Sequence, residues 1–264
     1  MKLFPCIAIF CLLASIFLSG CITGEITTTP KAGEETDAEQ ALHESLQAVN
    51  QTLEKDRSNA TAWLVKGTLL QRLKEYNEAD IAYDQALNLS PDLGIAWLYK
   101  GNIQHIKGNF TDAIRLYDKG IAIDSEQPLL WAYRGRALAS LGRYDEALSA
   151  YNRALQLDPT HVTTAVDKGD LLKVLGRYDD AIAAYSAALE ADPDNIEAAR
   201  AKGDLEKNLM RYPEALATYE YILNLTPDDG TALSGKADAL TGLGRFDEAV
   251  RLYDHLINIT PNNS

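Results

Sequence analysis

Cysteine is almost absent from this sequence, and its placement is informative. The only cysteines are Cys6, Cys11 and Cys21, all within the first 21 residues. The chain beyond Cys21 therefore has no disulfide, no thiolate metal site and no cysteine nucleophile.

Recognisable enzyme motifs are also missing. The sequence has no phosphate-binding loop, no Gly-x-Ser-x-Gly elbow and no His-Glu-x-x-His pair. A Gly-x-Gly-x-x-Gly fingerprint is absent despite 17 glycines. The histidines His43, His105, His161 and His255 are far apart in the chain. We therefore expect no catalytic residue, no metal site and no cofactor, and an enzyme subunit is the least expected class.

An excess of positive charge is lacking as well. The chain has 25 basic and 38 acidic residues, a formal net charge of −13. A surface this acidic repels phosphate backbones, so we expect no nucleic acid partner. The 46% hydrophobic content is ample for a folded core.

The first 20 residues have the layout of a secretory signal. One positive charge at Lys2 precedes an apolar run that ends at Leu18, and small residues follow. The sequence Leu18-Ser19-Gly20-Cys21 resembles the lipobox of prokaryotic lipoproteins. The resemblance implies a signal peptide over residues 1–20, and a lipid on Cys21 that holds the protein at the extracytoplasmic membrane face, in the periplasm or at the cell exterior.

Two other interpretations of this segment remain open. The apolar run could be an uncleaved transmembrane anchor, although it is shorter than the roughly 20 residues that a span prefers. An ordinary signal peptidase could also cut it and leave a free protein.

Residues 21–37 are rich in threonine, proline, glycine and glutamate and show no helical or strand period, so we expect a flexible tether. Residues 38–55 then show an amphipathic helical pattern. Its apolar face is formed by Ala41, Leu42, Leu46, Val49 and Leu53. This helix is predicted to cap the N-terminal end of the domain that occupies residues 38–264.

The rest of the chain repeats itself every 34 residues. The three tryptophans are Trp63, Trp97 and Trp131. A glycine recurs at Gly67, Gly101, Gly135, Gly169 and Gly203, an alanine at Ala79, Ala113, Ala147, Ala181, Ala215 and Ala249, and a tyrosine at Tyr83, Tyr117, Tyr151, Tyr185, Tyr219 and Tyr253. Each copy shows two apolar patterns of helical period, so each is predicted to form a pair of helices.

This period and residue pattern resemble the tetratricopeptide repeat family. Six copies cover about residues 60–93, 94–127, 128–161, 162–195, 196–229 and 230–263. The resemblance implies an all-α fold, an α-α superhelix (right-handed solenoid) of six helical hairpins with an N-terminal capping helix.

Small residues explain how the two helices of a copy come close. Gly67 and its equivalents lie on the first helix, and Ala79 and its equivalents are interpreted as the matching small residue on the second. The turn between the helices has glycine in four copies, where a positive φ is predicted. Lys74 and Met210 replace that glycine in copies one and five, and we expect strain there.

In this family the first helices line the concave surface, which usually grips a peptide or helix of a partner protein. The positions carried over by register are Leu64, Ile95, Leu98, Asn102, Ile106, Leu129, Arg136, Asp170, Lys173, Arg200, Asp204 and Asp238. The N-terminal half of this predicted groove is more apolar and the C-terminal half is charged. A groove with no dedicated ligand is the alternative.

A basic residue precedes the small position of every first helix. The column is Lys66, Lys100, Arg134, Lys168, Lys202 and Lys236. We interpret it as structural, pairing with acidic residues of a neighbouring hairpin such as the Asp170, Asp204 and Asp238 column. A basic binding ladder is the alternative.

The sequence ends directly after the second helix of copy six, where the family usually has a further solvating helix. The last helix should keep part of its apolar face uncovered, including Val250 and Leu256. A possible homo-oligomer, a self-associating structural spacer, is therefore the alternative to a partner-binding scaffold.

Glycosylation sequons are more frequent than chance predicts at this composition. They begin at Asn50, Asn59, Asn88, Asn109, Asn224, Asn258 and Asn262. Some of them reflect only the Asn-Leu-Ser/Thr-Pro close of a repeat, so N-glycosylation is a possibility and not a requirement of the pattern.

Overall fold

The protein is described by a computed structural model, in which residues 32–259 have a defined backbone and residues 38–259 defined side chains. The predicted signal peptide, Cys21, most of the predicted tether, Asn262 and the end of copy six lie outside these residues. Within residues 32–259 every regular element is an α-helix.

Thirteen helices follow one another over the described backbone. They are α1 Ala32–Lys55, α2 Ala60–Arg72, α3 Tyr76–Leu89, α4 Gly94–Ile106, α5 Phe110–Ile123, α6 Pro128–Ser140, α7 Tyr144–Leu157, α8 Val162–Val174, α9 Tyr178–Ala191, α10 Ile196–Asn208, α11 Tyr212–Leu225, α12 Gly230–Gly242 and α13 Phe246–Ile259. None of these helices is long and apolar enough to span a membrane.

Helices α2 to α13 form six antiparallel hairpins that stack in chain order. Each hairpin has a first helix of 13 residues and a second helix of 14 residues, as in α6 and α7. The second helix of each hairpin also packs on the first helix of the next. The predicted α-α solenoid of six hairpins is confirmed.

Helix α1 precedes the hairpins and begins at Ala32, six residues before the predicted start of the capping helix. Pro30 is the last proline before it, so no proline interrupts the backbone hydrogen bonds over those six residues. Leu46 packs against the core of the first hairpin, and Leu53 is buried.

Tyrosine rings fill the space that the recurring glycines leave. A Cβ on Gly101 would lie 2.4 Å from Cε1 of Tyr117, and a Cβ on Gly67 would lie equally close to Tyr83. The glycine therefore makes room for the tyrosine of the second helix, and not chiefly for Ala113 and its equivalents, as the sequence interpretation had it. Those alanines are buried too, beside the rings.

The turns between paired helices have the predicted backbone. Gly108, Gly142, Gly176 and Gly244 have φ between +72° and +78°. Lys74 and Met210 occupy the same turn with φ of +63° and +60°. The left-handed conformation is thus imposed by the hairpin geometry even where the residue disfavours it.

The three tryptophans tie their own hairpins to the preceding loop. Each indole Nε1 donates a hydrogen bond of 2.9–3.0 Å to a backbone carbonyl six residues earlier in the chain. The pairs are Trp63 with Arg57, Trp97 with Pro91 and Trp131 with Ser125. The periodicity alone did not predict this role for the tryptophan.

Candidate functional site on the first helices

The tyrosines that fill the core also reach the predicted groove. Four phenol groups donate hydrogen bonds of 2.6–2.8 Å to one position of the first helices. The pairs are Tyr117 with Asn102, Tyr185 with Asp170, Tyr219 with Asp204 and Tyr253 with Asp238. Burial, followed by the bond to the carboxylate, raises the pKa of Tyr185 and Tyr219. The side chains of four predicted groove residues are therefore held in place by hydrogen bonds from tyrosines of the second helices.

The centre of this surface is an ion pair between two repeats. Nη2 and Nε of Arg136 lie 2.6 and 3.0 Å from Oδ2 of Asp167, and the guanidinium lies 5.1 Å from the centre of the Tyr133 ring. Burial raises the pKa of Asp167, and Arg136 opposes this rise. Arg136 was predicted as a groove residue, whereas Asp167 and Tyr133 were missed.

Ion pairs also occupy the C-terminal half. Lys173 lies 2.8 Å from Asp170, and Lys207 lies 3.0 Å from Asp238. Arg200 contacts Asp229 at 2.8 Å. The predicted charged half is present, but its charges compensate one another, within α8 for Lys173 and Asp170 and between hairpins for the other two pairs. A ligand would have to exchange partners with them, which favours selectivity over raw affinity.

The N-terminal half contains the predicted apolar side chains at different depths. Ile106 is 50% exposed, while Leu64, Ile95 and Leu129 are half-buried. Leu98 is only 1% exposed and belongs to the core, so its side chain offers no surface to a ligand.

His105 lies on α4, in the N-terminal half, and was not among the predicted groove residues. Its ring packs edge-on against Phe110 at 5.0 Å between centres. Its buried Nε2 has no hydrogen-bond partner among the described residues. Burial, with the nearby charge of Arg136, lowers the pKa of His105. His105 occupies the same repeat position as Lys173 and Lys207, and this equivalence could have identified it as a groove residue.

A shallow cleft of about 270 Å³ opens on this surface where the third and fourth hairpins meet. It is lined by Ala139, Tyr144, Tyr151, Asp167, Asp170, Leu171 and Val174. The cleft adjoins the Arg136–Asp167 pair, so apolar and charged contacts meet at this junction.

Three of the six residues of the basic column pair with the preceding hairpin, as the structural interpretation expects. Arg134 contacts Asp118 at 2.7 Å and Lys236 contacts Glu220 at 3.1 Å. Lys100 lies within 2.9 Å of both Asp80 and Asp84. These partners are on second helices, so the suggested Asp170, Asp204 and Asp238 column is wrong.

Other predicted residues are distributed over the surface. Asn88, Asn224 and Asn258 are exposed on α3, α11 and α13, and Asn50 is on α1. The Asn59 side chain caps α2 by accepting from the Ala62 amide at 2.9 Å, and Asn109 donates to Gln104. Across residues 38–259 no three His, Asp or Glu side chains are close enough together to hold a metal ion.

Several solved structures share this architecture. YrrB, described as a tetratricopeptide repeat protein with an unusual peptide-binding site, is 24% identical; it matches 72% of this chain and 98% of its own, with a TM-score of 0.56. For pilF of Pseudomonas aeruginosa the identity is 18%, the coverage 80% and 95%, and the TM-score 0.64. A tetratricopeptide repeat protein of Parabacteroides merdae is 20% identical; the match covers 76% of this chain and 80% of that protein, with a TM-score of 0.59. At these identities the likeness shows the fold alone. No curated protein matches the chain.

Two family models, both described as tetratricopeptide repeat, match the sequence itself. One matches residues 66–128 and 107–162, and the other residues 138–205 and 211–264. Together they span most of the six hairpins. The chain therefore belongs to the tetratricopeptide repeat family.

Proposed function

We propose that the protein is a non-enzymatic scaffold that binds a peptide or helix of a partner protein in the concave groove formed by its first helices. The observation that carries this proposal is the change of character at the Arg136–Asp167 pair. Apolar side chains such as Ile106 lie on its N-terminal side, and compensated charges such as Lys207 and Asp238 lie on its C-terminal side.

A matching ligand would be apolar at one end and carry mixed charge at the other. Its apolar end would cover Ile95, Ile106 and Leu129. Its charged end would exchange with the Lys173 and Lys207 ion pairs. A wrong ligand would leave one of these charges unpaired, and this cost would set the specificity.

The groove is proposed to work at a membrane. The lipobox-like sequence before Cys21 supports a lipid anchor facing outside the cytoplasm, and the tether composition supports some freedom of movement above the bilayer. Two acyl chains would hold the protein firmly, since each buried methylene contributes about 0.8 kcal/mol. A role in envelope assembly, or as an adaptor there, fits such a placement.

Affinity capture from membranes tests the groove. We expect Ile106→Glu to lose a partner that the wild-type chain retains, because a charge would enter the apolar half of the groove. The matched control is Ile81→Glu, since Ile81 is similarly exposed, at 61%, but lies on a second helix. Equal capture by both variants and the wild type would argue against the groove.

The intact mass of the mature N-terminus tests the anchor, and an unlipidated Cys21 would overturn it.

Self-association through α13 is the second candidate. Val250 and Ile257 on this last helix are 56% and 66% exposed, at positions that the earlier second helices bury or half-bury against the next hairpin. Phe246 on the same helix is 62% exposed. Sedimentation of the wild type and of Val250→Lys/Ile257→Lys tests it. A wild-type oligomer that the double variant abolishes would support the spacer, and a wild-type monomer would exclude it.

A further inference from the structure

In four of the six hairpins an aromatic side chain donates a hydrogen bond to a carbonyl of the loop before the first helix, and in the fourth hairpin none does. In the first three hairpins the indole N–H caps a loop carbonyl. In the fifth, where Ala199 stands at the tryptophan position, the Tyr221 hydroxyl of the second helix caps the Pro193 carbonyl instead. The sixth hairpin also lacks this bond among the described residues, but there the buried side chain of Leu233 fills the indole position.

Both capping groups are missing from the fourth hairpin. Ala165 stands where Trp131 stands one repeat earlier, and Ala187 stands where Tyr221 stands one repeat later. The equivalent loop carbonyl is that of Pro159, and no hydrogen bond to it is formed by the side chains and backbone that the structure describes. The backbone acceptor remains, while the aromatic donor is absent.

A counter-charge is missing from the same place. Arg134 and Lys236 pair with acidic residues of the preceding second helix, but the residue in that position before Lys168 is Asn152. Lys202 of the fifth hairpin reaches Glu206 at 3.8 Å. Half-buried Lys168 has no ion-pair partner within residues 38–259.

These three differences leave a cleft of about 470 Å³ between the second helices α7 and α9. It is lined by Leu148, Asn152, Leu155, Pro159, Ala165, Lys168, Leu172, Arg177, Asp180, Ala183, Ala184 and Ala187. Its volume is in the range typical of ligand-binding clefts. An apolar floor with one unpaired cation, Lys168, and one backbone acceptor is a site that can both desolvate a ring and orient it.

We propose that this cleft binds a partner peptide in which a tryptophan or tyrosine lies beside an acidic residue. The ring would lie on half-buried Leu155 and on the exposed Ala183 and Ala187, and its N–H or O–H would donate to the Pro159 carbonyl. The neighbouring carboxylate would pair with Lys168. The ligand thus supplies the aromatic donor and the acid that the second and third hairpins have in the protein itself.

The occupant comes from outside this chain. Residues 1–31 and 260–264, which the structure leaves undescribed, contain neither tryptophan nor tyrosine. The charge of the free peptide also matches, since the cleft presents Lys168 as its uncompensated charge while Arg177 is paired with Asp180 at 2.7 Å.

Fluorescence anisotropy of labelled peptides on the full-length chain tests the proposal. The probe is Gly-Glu-Trp-Glu-Gly, compared with Gly-Gln-Trp-Gln-Gly and Gly-Glu-Ala-Glu-Gly. We expect the first to bind, the second to bind about tenfold more weakly because the Lys168 pair is lost, and the third to show no measurable binding. Absence of binding by the first peptide, or equal binding by all three, would overturn the proposal.

Variants borrowed from the neighbouring hairpins locate the site. Ala165→Trp restores the indole of the first three hairpins, and we expect it to abolish peptide binding without lowering the thermal unfolding midpoint. Asn152→Asp restores the internal acid of the first two hairpins and should weaken binding about tenfold by pairing with Lys168. If Ala165→Trp lowers the unfolding midpoint, its loss of binding is not informative, and the binding of the Asn152→Asp variant alone decides whether the peptide uses this cleft.

Two controls complete the design. Lys100→Met removes the equivalent cation at a closed junction and should leave binding unchanged. Ile106→Glu should also leave it unchanged, because that side chain belongs to the groove on the first helices, so the two sites succeed or fail separately. Wild-type affinity in Ala165→Trp and Asn152→Asp would overturn the site.

Discussion

Met210 holds a left-handed backbone conformation that four other hairpins assign to glycine. A side chain at such a φ costs roughly 1–2 kcal/mol relative to glycine. Gly176 occupies the same turn one repeat earlier, where a Cβ would meet no atom within 4 Å. The cost at this turn is therefore a backbone cost, free of any packing term.

Met210→Gly should stabilise the protein by about 1 kcal/mol, since it relieves the strained φ and removes a side chain that makes little packing contribution. Urea unfolding measures the change. Gly176→Met, the reciprocal variant, should destabilise by a similar amount. A stabilised Gly176→Met would contradict the interpretation.

Glu206 is a carboxyl group at a core position, where Leu172 and Leu240 stand in the neighbouring repeats. The Thr218 hydroxyl donates to it at 2.7 Å. Burial raises the pKa of Glu206 in the folded protein, against the opposing effects of Thr218 and Lys202. The unfolded chain therefore releases this proton at a lower pH than the folded chain does.

Glu206→Leu/Thr218→Ala reproduces the pair Leu172 and Ala184 of the fourth hairpin. Near pH 3, well below the unfolded pKa, both states of the wild type keep the Glu206 proton, so this group adds no pH dependence there. As pH rises through the unfolded pKa of about 4.3, the wild type loses stability through this group. The double variant should therefore gain on the wild type between pH 4 and pH 7, by about 1–3 kcal/mol. A pH-independent difference between the two would contradict this.

Much at the residue scale could be predicted from the sequence. The 34-residue register fixed the turn positions, so the strain at Lys74 and Met210 followed directly. The burial of Leu98 did not follow, because the helical period gives a direction and not a depth. The tryptophan N–H bond was also missed, since its acceptor lies in a loop without periodicity.

At the element scale, the contact between each glycine and its tyrosine sets how closely two paired helices approach. A Cβ on Gly101 would lie 2.4 Å from the buried ring of Tyr117. At Gly203 the nearest atom, Cγ2 of Thr218, would be 3.2 Å away. The same substitution thus meets two degrees of crowding within one chain.

Gly101→Ala should destabilise the protein by about 1–3 kcal/mol through overpacking, reduced by a helix-propensity gain of about 0.5–1 kcal/mol. Gly203→Ala keeps the gain and loses most of the clash, so it should be near neutral. Thermal unfolding of the two variants side by side measures the difference. Equal effects would show that the ring moves aside at no cost.

Helix existence and type were predictable because two apolar patterns recur six times with unchanged spacing. The start of α1 was not, since residues 32–37 carry no apolar period, and composition alone favoured a tether. Hydrogen-bonded helical backbone extends over these residues regardless of their low hydrophobicity.

At the scale of the whole molecule, the junction between the third and fourth hairpins is thinly filled on two sides. The 270 Å³ cleft opens on the first helices and the 470 Å³ cleft on the second helices. Helices α7 and α8 pack between them. The Arg136–Asp167 pair bridges this junction from the groove side.

Native-state hydrogen exchange should show this junction opening at a lower free energy than the junction between α5 and α6, where the Trp131 indole is in place. The stability of a stack of repeats depends on the interfaces between neighbouring repeats, and the α7–α8 interface makes fewer residue contacts than the α5–α6 interface. Ala165→Trp should raise the protection of α8 towards that of α6. Uniform protection along the wild-type stack would refute this difference.

The candidate site could be predicted only in part at this scale. The register identified Asn102, Arg136 and the three aspartates as one row, and the structure shows four of these five bound to tyrosines from beneath. The 470 Å³ cleft on the second helices could not be predicted from single positions of the sequence. It requires the simultaneous absence of an indole, an acid and a large side chain, and only their spatial convergence turns three small residues into a cavity.

The two clefts also have a mechanical consequence. Stacked hairpins transmit tension as springs in series do, so extension concentrates at the most compliant spring. A pull between an N-terminal attachment and a ligand on the C-terminal half would bend the stack where α7 meets α8.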